Sequence, residues 1–243
     1  MNNKSKYSYI GIAFIILVFG IIFIPKIVDR IKHDDISRSE RMSTEQDNNF
    51  SDQSKLAFIE VNGEPKKVPS FSFENQNGEM ITEKDYLGKV YVIEFFFTTC
   101  PTICPKMTYN LVQVQNAFKS FEEFGVASFT INPDHDTPEV LKSYAEEYGV
   151  TNPNWNLMTG NKEDIYNLAN LGFNLFVDVE NFEHSGNFAL IDKNGYIRSR
   201  TDAYGNPIIY YRGTVSEKEQ VNDEGEKEEI SMLKEDIKKL LNE

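Results

Sequence analysis

The sequence predicts an α/β layered domain tethered behind a single N-terminal membrane-spanning helix. Three observations carry that expectation. The run Lys89-Val-Tyr-Val-Ile-Glu-Phe-Phe-Phe97 is almost continuously apolar, strand-like and helix-like segments alternate behind it, and nineteen uncharged residues separate Lys6 from Lys26. A strand that is apolar along its whole length sits in the middle of a sheet with both faces covered. Alternating β and α segments build such a layered core. At 243 residues the chain is long enough for one well-buried domain together with an anchor and a tether.

In chain order, the anchor comes first. Residues 7–25 carry no charge and are mostly aliphatic or aromatic. At about 1.5 Å per residue they cover roughly 28 Å, close to a hydrocarbon core. The run is longer than the apolar part of a secretory signal and lacks a small-x-small cleavage site. No cysteine follows it to take a lipid. Residues 1–32 are therefore expected to be an anchor, with the helix at about 7–25. Lys4 and Lys6 flank one side and Lys26, Arg30 and Lys32 the other, so charge asymmetry gives no orientation. Residues 33–55 are polar and read as a flexible tether, leaving 56–243 for the folded domain.

The domain is acidic. The whole chain carries −13 and residues 1–32 carry +4, so the remainder totals −17. Such a surface repels phosphate backbones, which argues against nucleic-acid binding and favours a basic protein surface or a cation.

Within the domain, Ala57–Val61 precedes the turn pair Asn62-Gly63. Phe71–Phe73 and Met80–Thr82 flank Asn77-Gly78, a hairpin signal. The central strand 89–97 runs into Thr98-Thr99-Cys100-Pro-Thr-Ile-Cys104-Pro105. Behind it Met107, Leu111, Val114 and Phe118 fall on one helical face. Val126–Ile131 reads as the next strand. A helix follows from Thr137 as N-cap, with Pro138 at its first position, to Tyr148 before Gly149. Asn156–Thr159 is a third strand and Glu163–Leu171 a further helix. Asn187–Ile191 and Tyr196–Thr201 close a hairpin around Lys193-Asn194-Gly195. Glu217–Glu229 reads as a solvated acidic loop. Ile230, Leu233, Ile237, Leu240 and Leu241 form the apolar stripe of a C-terminal helix.

The only cysteines, Cys100 and Cys104, lie where the central strand meets a helix. Proline after each disfavours helical geometry at both, placing them in a loop with Pro105 in the first helical turn. A helix N-terminus and Lys106 would lower their thiol pKa values and favour thiolate. A structural disulfide closing so short a loop would stabilise little. A redox pair usually has two intervening residues and here there are three. Two thiolates also suit a soft metal ion. The cysteines alone leave redox and metal chemistry open.

A third ligand would decide, and histidine occurs at 33, 135 and 184. His33 belongs to the tether. His135 sits among carboxylates in Pro133-Asp134-His135-Asp136 and reads as a surface residue. His184 precedes the strand Asn187–Ile191, in a loop that would enter the sheet beside the cysteines. Spacing alone still makes it an ordinary loop histidine.

Three segments together resemble the Sco/SenC family. Phe95–Pro105 is similar to its apolar strand followed by C-P-x-x-C-P. Thr130-Ile-Asn-Pro-Asp-His-Asp-Thr-Pro138 is similar to its strand leading into D-P-x-x-D-T-P. Glu183-His184-Ser185, with Phe188–Asp192 and Asn194-Gly195, is similar to its third landmark. The three occur in order over about residues 57–210. Asn132 and Glu183 stand where the family usually has Asp, and both departures leave the three candidate ligands intact.

The resemblance implies a thioredoxin-like fold, a central mixed sheet flanked by helices. It implies one copper ion, Cu(I) or Cu(II), bound by Cys100, Cys104 and His184. It also implies a metallochaperone role in building the binuclear copper centre of cytochrome c oxidase, with that oxidase's copper-bearing subunit or another copper carrier as partner. Copper delivery and stable disulfides belong outside the cytoplasm, so the domain is expected on the outer face of the membrane. The rival reading is a thiol–disulfide oxidoreductase that uses Cys100 and Cys104 as a redox pair and does not need His184. An interaction domain without a metal would need neither cysteine.

Overall fold

Short strands open the domain: Ala57–Phe58 (β1), Glu60–Val61 (β2), Glu64–Pro65 (β3), Ser72–Asn75 (β4) and Met80–Thr82 (β5). The long strand Val90–Phe96 (β6) follows, then helix Ile103–Ala117 (α1), strand Phe124–Thr130 (β7), helix Pro138–Tyr148 (α2), strand Trp155–Thr159 (β8) and helix Lys162–Asn167 (α3). Beyond α3 come Val177–Asp178 (β9), Glu183–His184 (β10), Asn187–Ile191 (β11), Ile197–Ser199 (β12), Tyr211–Arg212 (β13) and helix Ile230–Asn242 (α4). This computed structural model describes residues 55–175, 177–178, 183–202 and 204–243, with backbone only at 177, 178, 183 and 184. The candidate anchor and nearly all of the tether lie outside the described residues. Among the described residues, no helix is long and apolar enough to cross a membrane.

The main sheet runs β1-β12-β11-β6-β7-β8-β4-β5, and β13 pairs with the start of β11. β6, β7 and β8 are parallel, with β6 and β7 in register from Val90 opposite Phe124 to Phe96 opposite Thr130. β11 and β4 pair antiparallel on either side of this core. The sheet is therefore mixed and flanked by helices, as the sequence predicts. Every residue of β6 and β7 is buried, which is why the sequence there is apolar rather than alternating. Phe95 stacks on Phe129, and Phe71 and Phe73 meet Phe129 edge-on. On the opposite face Phe96 packs against Tyr144 of α2. Burying each such ring stabilises the fold by about 1.5–3 kcal/mol.

Local signals set the boundaries. Thr137 caps α2, its Oγ1 accepting from Val140 N, with Pro138 in the first turn and Gly149 ending the helix at φ 75°. In the β4–β5 hairpin, Asn75 Oδ1 accepts from the Asn77 and Glu79 amides, and Gly78 adopts φ 78°. The helix expected at 163–171 is α3, continued as a π-helical turn over Leu168–Phe173. The C-terminal stripe docks as expected: Ile230, Leu233, Ile237 and Leu240 of α4 are buried.

The acidic segment 217–229 is exposed along most of its length, as a solvated loop would be, and several of its carboxylates also meet basic side chains. Lys234 holds Glu217 at 2.5 Å, Lys106 holds Glu219 at 3.4 Å, and Arg212 reaches both Glu226 and Glu229. Lys106 lies 113 residues from Glu219 in sequence, and Lys234 belongs to the next helix. Counter-charges placed so far off are invisible to a charge-run reading of the segment alone.

Candidate metal centre

β6 ends at the sheet's centre, and the chain turns through Phe97–Thr102 into α1. Cys100 N donates to Phe97 O, closing a turn that puts Cys100 at the mouth of the helix. Cys104 lies inside α1, in its first turn, rather than in the preceding loop as the prolines suggested. Pro105 is accommodated there because a first-turn residue has no intrahelical acceptor for its N–H in any case. The pair is thereby locked by the helix itself: Cys104 N lies 3.4 Å from Cys100 Sγ. Both residues are reduced thiols and both are buried, Cys100 at 7% exposure and Cys104 at 1%.

The thiol chemistry also differs from expectation. Cys104 is pushed well above the ordinary thiol range, first by its hydrogen bond with Cys100 and then by burial. Lys106, the expected activating charge, is turned towards Glu219. The hydrogen bond with Cys100 and burial together hold this thiol neutral, although it lies in the first turn of α1. A bound cation would reverse the balance, because a metal displaces the proton and supplies the charge that burial withholds.

His184 forms part of β10, opposite Val177 of β9. Its side chain lies outside the described atoms, but the chain just after it is well placed. Gly186 is packed so tightly that a Cβ there would fall 2.2 Å from Thr214 Cγ2 and 3.7 Å from Ile103 Cδ1. Ile103 lies directly before Cys104, so the segment two residues after His184 abuts the cysteine turn. Cys100, Cys104 and the His184 segment are therefore brought to one end of the sheet from distant parts of the sequence. Among the described side chains no group of three or more His, Cys, Asp or Glu gathers to hold a metal. Two adjacent thiols suit a soft ion, and an imidazole from this neighbouring strand would complete such a set. His135 is half-exposed, its Nδ1 2.9 Å from Asp136 Oδ1, in keeping with a surface residue.

Two buried carboxylates that sequence reasoning left unassigned shape this end of the fold. Asp136 is fully buried and accepts from the Thr98 amide at 3.0 Å and from the Thr98 and Thr130 hydroxyls. It ties the turn before Cys100 to the end of β7. Glu94, on β6, is 1% exposed; Ser128 Oγ donates to its Oε1 at 2.7 Å and Oε2 has no partner. Burial pushes its carboxyl up to about 7. A charged residue inside an otherwise apolar strand was the available signal for Glu94; Asp136 gave none beyond its place in the motif.

A groove of about 670 Å³ opens beside the cysteine turn. Thr102, Ile103 and Gly186 form one wall, and Glu219, Asp223 and Glu224 of the acidic segment form part of the other.

Comparison with known proteins places this geometry. The model of the SCO1/SenC family matches residues 60–216. The chain belongs to the SCO1/SenC family. A SCO1 protein homolog of Bacillus subtilis is 31% identical over 137 residues, which make up 54% of this chain and 71% of that protein. The crystal structure of a SCO1/SenC family lipoprotein from Bacillus anthracis superposes with a TM-score of 0.59 at 32% identity, covering 72% of this chain and 95% of the other. BsSco, described as a member of the Sco family of cytochrome c oxidase assembly proteins with a disulfide switch, gives 0.58 at 26% identity over 72% of this chain and 94% of its own. The mixed sheet with flanking helices is thus the thioredoxin-like fold of SCO1/SenC structures.

Proposed function

We propose that the chain is a membrane-anchored copper metallochaperone of the SCO1/SenC family that serves assembly of the binuclear copper centre of cytochrome c oxidase. Cys100 and Cys104 supply two thiolates and His184 the third ligand to one copper ion. The observation that carries this reading is the meeting of two adjacent, buried, reduced thiols with the backbone segment that follows His184. Two sulfurs and an imidazole suit Cu(I) and also accept Cu(II). The open groove beside the turn leaves room for a docked acceptor, either the copper-bearing oxidase subunit or another copper carrier, to replace the ligands one at a time.

In this reading residues 1–32 anchor the chain through a helix at about 7–25, residues 33–55 are a tether, and 56–243 form the copper domain on the outer side of the membrane. The relative from Bacillus anthracis is a lipoprotein, so attachment by a different device would place an equivalent domain at the same surface.

Copper stoichiometry on the reduced full chain, purified in mild detergent, tests the assignment against Cys100→Ser, Cys104→Ser and His184→Ala. One tightly held copper is expected, lost or weakened in all three variants by about 10-fold or more. Retention of wild-type affinity by any of them removes that residue from the ligand set.

A second reading is supported by the contact of Cys104 N with Cys100 Sγ and by the disulfide switch described for BsSco: the Cys100–Cys104 dithiol passes two electrons to a partner's disulfide, which becomes a dithiol while this pair becomes the disulfide. That activity would survive His184→Ala. Formation of the disulfide removes both thiolate ligands, so the two readings are linked through the same sulfurs.

A further inference from the structure

Asn110 is a polar residue in the middle of α1 and only 1% exposed. A buried asparagine costs helix propensity and desolvation together, so a specific partner must offset it. That partner is backbone: Asn110 Nδ2 donates to Gly213 O at 2.8 Å. Gly213 N in turn donates to Gly186 O at 2.7 Å. Gly186 lies two residues after His184 and leads into β11, whose Asn187 and Phe188 pair with Arg212 and Tyr211 of β13.

A side chain at either glycine would force a neighbouring side chain to move. A Cβ on Gly213 would fall 2.5 to 2.9 Å from three atoms of the Phe188 ring, and one on Gly186 would strike Thr214. The helix that carries Cys104 is thus joined to the strand segment that carries His184 through two backbone steps. Asn110 supplies the only side chain in that bridge. The cysteines come held together by their own turn, whereas the third ligand comes from a segment held near them by this bridge together with the pairing of β11 and β6.

We propose that Asn110 is a positioning residue for the copper site, holding the His184 segment against the cysteine-bearing helix through Gly213 and Gly186. The inference rests on the ligand assignment above and adds a residue that none of the three sequence landmarks contains.

The test uses the full chain with Asn110→Leu, which keeps the branching and heavy-atom count, adds some bulk and removes the donor, alone and combined with His184→Ala. Three quantities are read: copper affinity by competition with a chelator, the thiolate-to-Cu(II) charge-transfer spectrum, and the reduction potential of the Cys100–Cys104 pair without metal. Residues that orient metal ligands typically change affinity by about 10- to 100-fold when removed. Asn110→Leu is expected to weaken copper within that range, to move the spectrum towards that of His184→Ala, and to leave the reduction potential unchanged. In the His184→Ala background it is expected to add nothing. A wild-type spectrum and affinity in Asn110→Leu overturn the inference, and so does a loss that adds in full to that of His184→Ala. If Asn110→Leu does not fold, Asn110→Ser, small enough to admit a water to Gly213 O, is decided by the same readings. A His184→Ala chain that binds copper as the wild type does overturns the ligand assignment and this inference with it; an effective His184→Ala beside a silent Asn110 variant overturns this inference alone.

Discussion

Glu94 makes the stability of the domain fall as pH rises through the weakly acidic range. Its carboxyl is displaced from the ordinary 4.5 to about 7, chiefly by burial, with the Ser128 hydrogen bond acting in the opposite direction. The folded state therefore holds a proton that the unfolded state releases above about pH 4.5. Stability is fully present below that point and is lost progressively until about pH 7, because the native state binds more protons than the unfolded state across the interval. At about 1.36 kcal/mol per pH unit of displacement, the loss amounts to roughly 3 kcal/mol. Glu94→Gln removes the titration while keeping an oxygen to accept from Ser128. It also places an amide N–H₂ where Oε2 has no partner, a pH-independent cost of about 1–3 kcal/mol. The slope, not the absolute stability, is accordingly the quantity to compare. Trp155 is the chain's single tryptophan, is buried, and donates from Nε1 to Ser128 Oγ at 2.9 Å. Its fluorescence reports guanidinium unfolding from within the same hydrogen-bond chain. The difference in unfolding free energy between wild type and Glu94→Gln, measured at about pH 5, 6, 7 and 8, should change by roughly 3 kcal/mol and level off above about pH 7. All other carboxylates cancel in that difference. Parallel wild-type and variant slopes between about pH 5 and 7 would refute the reasoning.

Two further perturbations test the frame around the site. Asp236 is fully buried on α4, where Arg200 meets it at 2.7 Å and Tyr211 OH donates to it at 2.8 Å. Asp236→Ala leaves the Tyr211 hydroxyl without this acceptor and Arg200 with only Glu235 and the Met232 carbonyl; it should cost about 1–3 kcal/mol by denaturant titration, while no measurable cost would show the network to be dispensable. Thr137→Ala removes the side-chain cap of α2 and should cost about 1 kcal/mol in the same assay, with no change in copper stoichiometry.

What was legible in the sequence was whatever is written locally. The hairpin at Asn77-Gly78, the cap at Thr137-Pro138 and the stop at Gly149 are short-range devices, and each stands where the residues place it. The fully buried β6 announces itself by lacking alternation. Where the structure departs from expectation, distant contacts or end-of-helix geometry are the cause. Proline after Cys104 argued for a loop, yet first-turn geometry tolerates it. Lys106 argued for activated thiols, yet its ammonium is turned to Glu219, 113 residues further along the chain. The acidic run 217–229 is mostly exposed, as expected, and only its ion pairs with Arg212 and Lys234 were not legible. Asn110 gave no signal at all, because its partner is a backbone carbonyl 103 residues away.

The same division between local and distant contacts bears on how the proposed site would release its cargo. Cys100 and Cys104 are joined by one turn, so their spacing survives any motion that leaves the start of α1 intact. The His184 segment depends on β11 and β13 staying packed against α1 through Gly186 and Gly213. The groove is lined by Thr102, Ile103 and Gly186, the seam between those two contributions, so a partner docked there would touch it. Loosening that seam would detach the imidazole while leaving both sulfurs in place, converting a three-ligand site into a two-thiolate site open to an incoming donor. Without a metal, the hydrogen bond with Cys100 and burial together favour the neutral thiol at Cys104. A proton on that sulfur would compete with a metal for it. A buried, hard-to-ionise cysteine is thus compatible with the proposed carrier, in which Cys104 would hold its proton when no metal is bound.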